Sequence, residues 1–318
     1  MPTLARTLIA ALMLSAAAAA SLAQPYPSRP IRYVVPFPPG GSSDNVARVV
    51  AQRLTESFGQ PTIIENKPGA GALIGAEFVA KAAPDGYTLL NTTTGVVAIA
   101  PQMGPAPYDP LKDFQAVAMV GESYGALAIH PSVPAKNLAE LIAFAKANPG
   151  KLNFGSAGPA TITHLYGELF MLVTGIQIVH VPYKGSALAL NDLIAGQIQM
   201  QFDPVTIPHI RAGKLVGIAS TASTRVPILP DLPTMAEGGL PEFNAPSWFG
   251  VLAPARTPRE IVDRIAGEIE RMTKDPAAIE RMRGFNLVPI FKGPDAFAAQ
   301  IRTDYRTYGE IIRKANLR

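Results

Sequence analysis

Twice in this chain an apolar run stops at a glycine- and serine-rich turn and restarts as a helix, and that repetition constrains the fold more than any single motif. The first instance is Ile31–Arg53, IRYVVPFPPGGSSDNVARVVAQR. Tyr33-Val34-Val35 runs into Pro36-Phe37-Pro38-Pro39, then Gly40, Gly41, Ser42, Ser43 and Asp44, then Val46, Val49, Val50 and Leu54 at helical spacing. The second opens at Leu152 with Asn153-Phe154-Gly155-Ser156-Ala157-Gly158, followed by Thr161-Ile162-Thr163-His164. The open amides of a helix start, with the positive end of its dipole, make each turn suited to an anion. Strands that feed helices imply an α/β fold of mainly parallel sheets covered on both faces. Ligands in such sheets sit at the carboxyl ends of the strands, where both turns lie. Two units of this kind predict two lobes facing one cleft.

The remaining chain keeps the alternation. Strands are expected at Thr62–Glu65, Tyr87–Asn91, Ala116–Val120, Ala126–His130, Ile176–Pro182, Gln199–Asp203, Val216–Ser220 and Phe249–Ala253, with helical patterns between them and from Pro258 to Ala315. Gly150, Gly175, Gly196 and Gly213 each follow a helical pattern, as C-terminal caps do. Hydrophobic residues make up 48% of the 318 residues and charged residues 16%, enough to fill a real core. The 28 basic and 24 acidic residues are dispersed, so no nucleic-acid footprint forms. Cysteine is absent, which removes disulfides, thiolate nucleophiles and Cys-ligated zinc. Met1–Ala23 carries Arg6, an apolar stretch from Leu8 to Ala20, and Ser21-Leu22-Ala23. It reads as a secretory signal cleaved before Gln24, too short and alanine-rich for a spanning helix.

Several motifs invite chemistry and do not complete it. Lys67-Pro68-Gly69-Ala70-Gly71-Ala72-Leu73-Ile74-Gly75 has dinucleotide-like glycines in the wrong spacing and no acidic partner downstream; a close-packed turn is the simpler reading. Gly155-Ser156-Ala157-Gly158 lacks the G-x-S-x-G of a nucleophile elbow, and His164 is too local for a triad base, so Ser156 reads as a donor or cap. His130, His164, His180 and His209 form no ligand pair, and no metal or cofactor is expected. Val181-Pro182-Tyr183-Lys184-Gly185-Ser186 and Gln201-Phe202-Asp203-Pro204 each end a strand and can present polar groups to the cleft mouth. Trp248 reads as core or hinge packing.

Taken in order, YPSRPIRYVVPFPPGGSSDNVAR, IIENKPGAGALIGAEFVAKAAPDGYTLL, NFGSAG…THL, HVPYKGSALALNDLIAGQIQMQFD, AGKLVGIASTAS…R…LPDLPTMAEGGLPEF and WFGVLAPARTP resemble the tripartite tricarboxylate transporter substrate-binding receptors, the Bug family. The resemblance covers essentially all of the chain after the signal. It implies a two-lobed type-II periplasmic binding protein (Venus flytrap) whose lobes close on a small carboxylate: a di- or tricarboxylate, an acidic amino acid or an aromatic acid. It implies no enzyme activity, no cofactor, a periplasmic monomer, and the membrane permease subunits of a tripartite tricarboxylate transporter as partner. Ligand contacts carried over by the resemblance are Gly40, Gly41, Ser42, Ser43 and Asp44; Thr92, Thr93 and Gly95; Ser156, Ala157, Gly158, Thr161, Thr163 and His164; Tyr183, Lys184 and Gly185; and Asp203. Within that set, the amides near Ser156–Gly158 and the Thr161 and Thr163 hydroxyls are assigned to the carboxylate, and Gly41–Ser43 to contacts through water.

The same topology implies lobe one from residues 24–123 and 224–318 and lobe two from 124–223, with the first crossing at Glu122–Gly125 and the return between Thr221 and Ser247. The C-terminal helices are expected to pack back on lobe one. A ligand-sensing receptor for a sensor kinase, and a secreted α/β hydrolase, are the alternatives that the residues leave open.

Overall fold

The computed structural model describes residues 26–222, 224–226, 228–241, 243, 245, 247–314 and 317; the expected signal segment lies outside them. Its strands are β1 (Ile31–Val35), β2 (Thr62–Asn66), β3 (Thr88–Thr93), β4 (Phe114–Ser123), β5 (Ala126–Ile129), β6 (Asn153–Ser156), β7 (Val179–Pro182), β8 (Met200–Asp203), β9 (Val216–Ser220), β10 (Ser247–Pro254) and β11 (Leu287–Lys292). They form two sheets, ordered β11-β4-β10-β3-β1-β2 and β7-β6-β8-β5-β9. β1 pairs in parallel with β2 and β3, and β6 with β7 and β8. Both sheets are nonetheless mixed. β10 runs antiparallel between β3 and β4, β5 runs antiparallel between β8 and β9, and β11 lies antiparallel to β4 on an edge. β5 and β10 are the strands on which the chain enters one sheet directly from the other. No helical crossover within the same sheet precedes them, so nothing forces a parallel entry.

Helices cover both sheets. In the helix Ser42–Phe58, Val46, Val49, Val50 and Leu54 are buried against Ile31, Tyr33 and Val35 of β1. Each such side chain contributes about 1.5–3 kcal/mol of burial. The helix stops at Gly59, whose left-handed backbone lets its N–H reach Thr55 O. In the second lobe the helix Ile162–Thr174 buries Leu165, Tyr166, Leu169 and Phe170 against Phe154 and Phe202.

The chain crosses between sheets twice, and the crossings lie side by side. Tyr124-Gly125 links β4 to β5; Gly125 N donates to Thr221 Oγ1 at 2.9 Å, and Thr221 N returns a bond to Gly125 O at 2.9 Å. Ser247, which opens β10, pairs with Ser123. Between β9 and β10, described residues pack with the second sheet: Met235 N donates to Ser220 O, and Met235, Leu240 and Phe243 share a core with Tyr166 and Phe202.

Two elements depart from the sequence expectation. β11 contains Pro289, which argues against a strand, but on an edge the missing N–H faces no partner. Val96-Val97-Ala98-Ile99, apolar on every side, forms a wide π-helical turn over Gly95–Ile99 that runs into the short helix Ala100–Met103. The long C-terminal helix Pro294–Lys314 serves both lobes. Phe297 and Ile301 join Trp248 in the first core, while Tyr308 and Ile312 join Tyr166 in the second.

Candidate functional site

A cavity of about 180 Å³ lies between the lobes, smaller than the ~300–1,000 Å³ of drug-sized sites and suited to a metabolite. Three helices start on its wall. Gly41, Ser42 and Ser43 come from Ser42–Phe58 of the first lobe; Thr161, Ile162 and Thr163 from Ile162–Thr174, and Gly185, Ser186, Ala187 and Leu188 from Ser186–Ile194, of the second. Gly41 and Gly185, at the two cap positions, have no side chain to occupy the first-turn amides. Each helix start adds roughly half a positive charge, so the cavity attracts an anion from both lobes at once.

The polar wall is held in place from behind. Tyr33 donates through its hydroxyl to Asn91 Oδ1 at 2.8 Å, and Asn91 Nδ2 donates to Ser43 Oγ at 2.8 Å, which ties β1, β3 and the helix start together. Asp44 takes bonds from Arg48 Nε at 2.8 Å, Gly40 N at 3.1 Å and Asn66 Nδ2 at 2.9 Å. Burial alone raises its pKa, but these bonds from Arg48, Asn66 and Gly40 outweigh it and hold the carboxyl below its ordinary range. Asp44 thus stiffens the Gly40–Ser43 turn and does not line the cavity.

Asp203, at the end of β8, does line it. The side chain is buried, and its carboxylate accepts from Ser42 Oγ across the cleft at 3.3 Å, from Val205 N at 3.0 Å and from Ser186 Oγ. Burial pushes its pKa up to about 6, against the pull of those three neutral donors.

The expected residues divide into those the cavity brings together and those it does not. Gly41, Ser42, Ser43, Thr93, Ala157, Thr161, Thr163, Gly185 and Asp203 line it. Gly40 is exposed beside it, Thr92 is buried in β3, and Gly95 backs onto Thr161 and Ile162. The amides of Ala157 and Gly158 are already spent inside their loop, on Thr163 Oγ1 at 2.9 Å and Ser156 Oγ at 3.1 Å. Ser156 is fully buried, its Oγ 2.6 Å from His180 Nε2. His164 stacks on His180 at 4.0 Å, and its Nδ1 accepts from Ala160 N at 3.3 Å, bracing the loop from below. Burial, then the adjoining His164, pushes His180 down to about 4. Gly158, Tyr183 and Lys184 line instead a second, outer cavity of about 590 Å³, walled by the Pro68–Leu73 loop and by Pro159 and Ala160. Tyr183 donates to Asp192 Oδ2 at 2.7 Å.

Sequence reasoning missed the apolar walls, Phe37, Pro38, Leu188 and Phe249 among them, and, although it put the crossings at Glu122–Gly125 and between Thr221 and Ser247, it did not place Ser123, Gly125 and Ser247 on the cavity wall. Ser186 alone carried a signal, since it follows a glycine at a helix start. Among the described residues no group of three or more His, Cys, Asp or Glu side chains is placed to hold a metal, and no helix is long and apolar enough to cross a membrane.

Two α/β lobes, crossed twice by the chain and with a small cavity between them, define the periplasmic solute-binding proteins. Within that class the chain belongs to the tripartite tricarboxylate transporter family receptors, which it matches over residues 46–317. It is 38% identical over 296 residues to Protein BugT of Bordetella pertussis, covering 92% of this chain and 91% of BugT. It superposes on the periplasmic binding protein BugD with a TM-score of 0.87 at 35% identity, covering 92% of this chain and 99% of BugD. A third relative, Rpa4515 of R. palustris with adipate, gives 0.88 at 34% identity over 92% of this chain and 98% of its own.

Proposed function

We propose that this receptor captures a small carboxylate by closing its lobes on it and hands it to the membrane subunits of a tripartite tricarboxylate transporter. The observation that carries this reading is the convergence of helix starts from both lobes on one cavity, with Ser42 of one lobe bonded to Asp203 of the other. Removing a carboxylate from water is tolerable only where several donors replace it, and the donor set is complete only when the lobes meet. The closed state therefore gains more from the ligand than the open state does. The adipate of the R. palustris relative belongs to the same chemical class.

The site comprises the lining residues Gly41–Ser43, Thr93, Thr161, Thr163 and Gly185, with Asp203 beside them; the Thr161 hydroxyl donates to Gly158 O at 2.7 Å and braces the loop. Gly40, Asp44 and His164 support them, and Lys184 stands at the approach. Lobe two extends from residue 124 to about 245, because Met235, Leu240 and Phe243 pack with its sheet; the return crossing then falls at 245–247. The protein acts as a periplasmic monomer, released by cleavage before Gln24.

Native mass spectrometry of gently purified protein, followed by a thermal-shift screen of carboxylic acids, tests the reading. A bound acid and lobe compaction in solution scattering are expected; an acid at ~100 times its dissociation constant adds ~2.7 kcal/mol. A screen in which no acid stabilises or compacts the protein sinks it.

A further inference from the structure

The cavity has an unusual charge balance for an acid-binding site. Among the described lining residues, only Asp203 and Tyr166 carry an ionisable group, and no Lys, Arg or His is present. The nearby cations are committed or elsewhere: Arg48 is paired with Asp44, and Lys184 faces the outer cavity. An acid entering this space brings a second carboxylate to one already there. Resting on the carboxylate reading above, we propose that capture takes up a proton, so that Asp203 is ionised in the free receptor and protonated in the loaded one.

The geometry favours Asp203 as the acceptor. It is 1% exposed, and its three donors, Ser42 Oγ, Ser186 Oγ and Val205 N, are all neutral. Oδ1 takes two of them and Oδ2 only Ser186, which leaves Oδ2 the freer oxygen to hold a proton. Two carboxylates sharing a site cannot both stay ionised without a cation between them. Three helix starts supply partial charges suited to one anion. Burial already brings Asp203 to about 6, within reach of neutral pH once a second negative charge arrives.

The other titratable groups around it are differently engaged. Tyr166, on the helix Ile162–Thr174, donates to Ala245 O and is raised far from neutrality by burial. Asp44 and Arg48 pair on the helix Ser42–Phe58, and Asp192, on Ser186–Ile194, accepts from Tyr183. Glu122 and Tyr124 lie at the crossing, His209 and Arg211 on the helix Ile207–Arg211, and His164 with Glu168 behind the Ser156–Thr161 loop. None of these lines the cavity except Tyr166. The proton comes from solvent and returns to it on release; no other bond changes.

Calorimetric titration of the full mature protein with adipate, malate and benzoate, in phosphate and in Tris at neutral pH, tests this. For each acid that binds, the two buffers are expected to differ in heat by the ionisation of close to one proton. Affinity should rise as pH falls from about 8 to about 6, by up to about tenfold per unit. Asp203→Asn is expected to change the affinity itself, and for each acid that it still binds both effects should vanish. Equal heats with a flat profile overturn the proposal while leaving the carboxylate reading intact, and so does proton uptake that survives Asp203→Asn, which would point to another group or to the acid itself. Failure of all three acids to bind, with no other acid found by the screen, overturns both. The wild-type buffer comparison decides the matter even if the variant does not fold.

Discussion

Ser42 and Asp203 stand 161 positions apart and meet across the cleft through one hydrogen bond. Ser42→Ala removes that bond without touching either core. The expected result is an affinity about two- to tenfold weaker, since a hydrogen bond of this kind contributes about 0.5–1.5 kcal/mol net, with the melting temperature of the ligand-free protein little changed. Titration and a melting curve measure the two separately; unchanged affinity would show that the bond does not bias closure. Residues of this kind were legible in the sequence because short turns advertise themselves: glycine, serine and threonine after a strand and before a helix leave few other readings. What those residues do was less legible. Asp44 and Ser156 sit in the right loops yet serve as braces, because their oxygens are taken by Arg48 and His180. Phe37, Leu188 and Phe249 were invisible as cavity walls, since an apolar side chain facing a cavity has the same pattern as one facing a core.

At the scale of elements, the rim of the cleft holds three of the five non-glycine residues with left-handed backbone among the described residues. Ala70, Ala72 and Ala160 hold left-handed backbone at φ 49°, 82° and 61°, on two loops that face each other. Alanine in that region costs about 1 kcal/mol or more. Gly71 lies between the first two at φ 65°, and a Cβ there would stand 2.4 Å from Pro159 O of the other lobe. Gly71→Ala should therefore hinder closure by about 1–3 kcal/mol of overpacking, weakening affinity and reducing ligand-induced compaction in scattering. Full compaction with normal affinity would mean that the rim yields freely. The loop's glycines drew attention in the sequence for their likeness to a nucleotide motif; their use is the close approach of two backbones. β11 and the Gly95–Ile99 turn were hidden for other reasons: Pro289 and a run of β-branched residues carry signals that edge position and complete burial override.

For the whole molecule, the alternation of strands and helices was sufficient to infer two lobes, because few other folds bury so many apolar runs in that order. The C-terminal helices were expected to pack back on the first lobe, and the last of them, Pro294–Lys314, also reaches the second. It spans both cores because its last turns, with Tyr308 and Ile312, reach the Tyr166 side of the interface. The lobes should consequently unfold together. Calorimetry is expected to show a single transition, and Ile312→Ala, which empties a fully buried site, should cost about 2–5 kcal/mol. Two resolved transitions in the wild-type protein would show that the shared helix does not couple the lobes. The three helix starts have a consequence on a longer timescale. Main-chain amides cannot be mutated away, so under the proposed carboxylate reading the hold on an acid group would survive most substitutions of the surrounding side chains. The apolar wall is then free to drift under selection, and a lineage, or a biosensor library built on Phe37, Leu188 and Phe249, can explore new acids without first losing the ability to grip one.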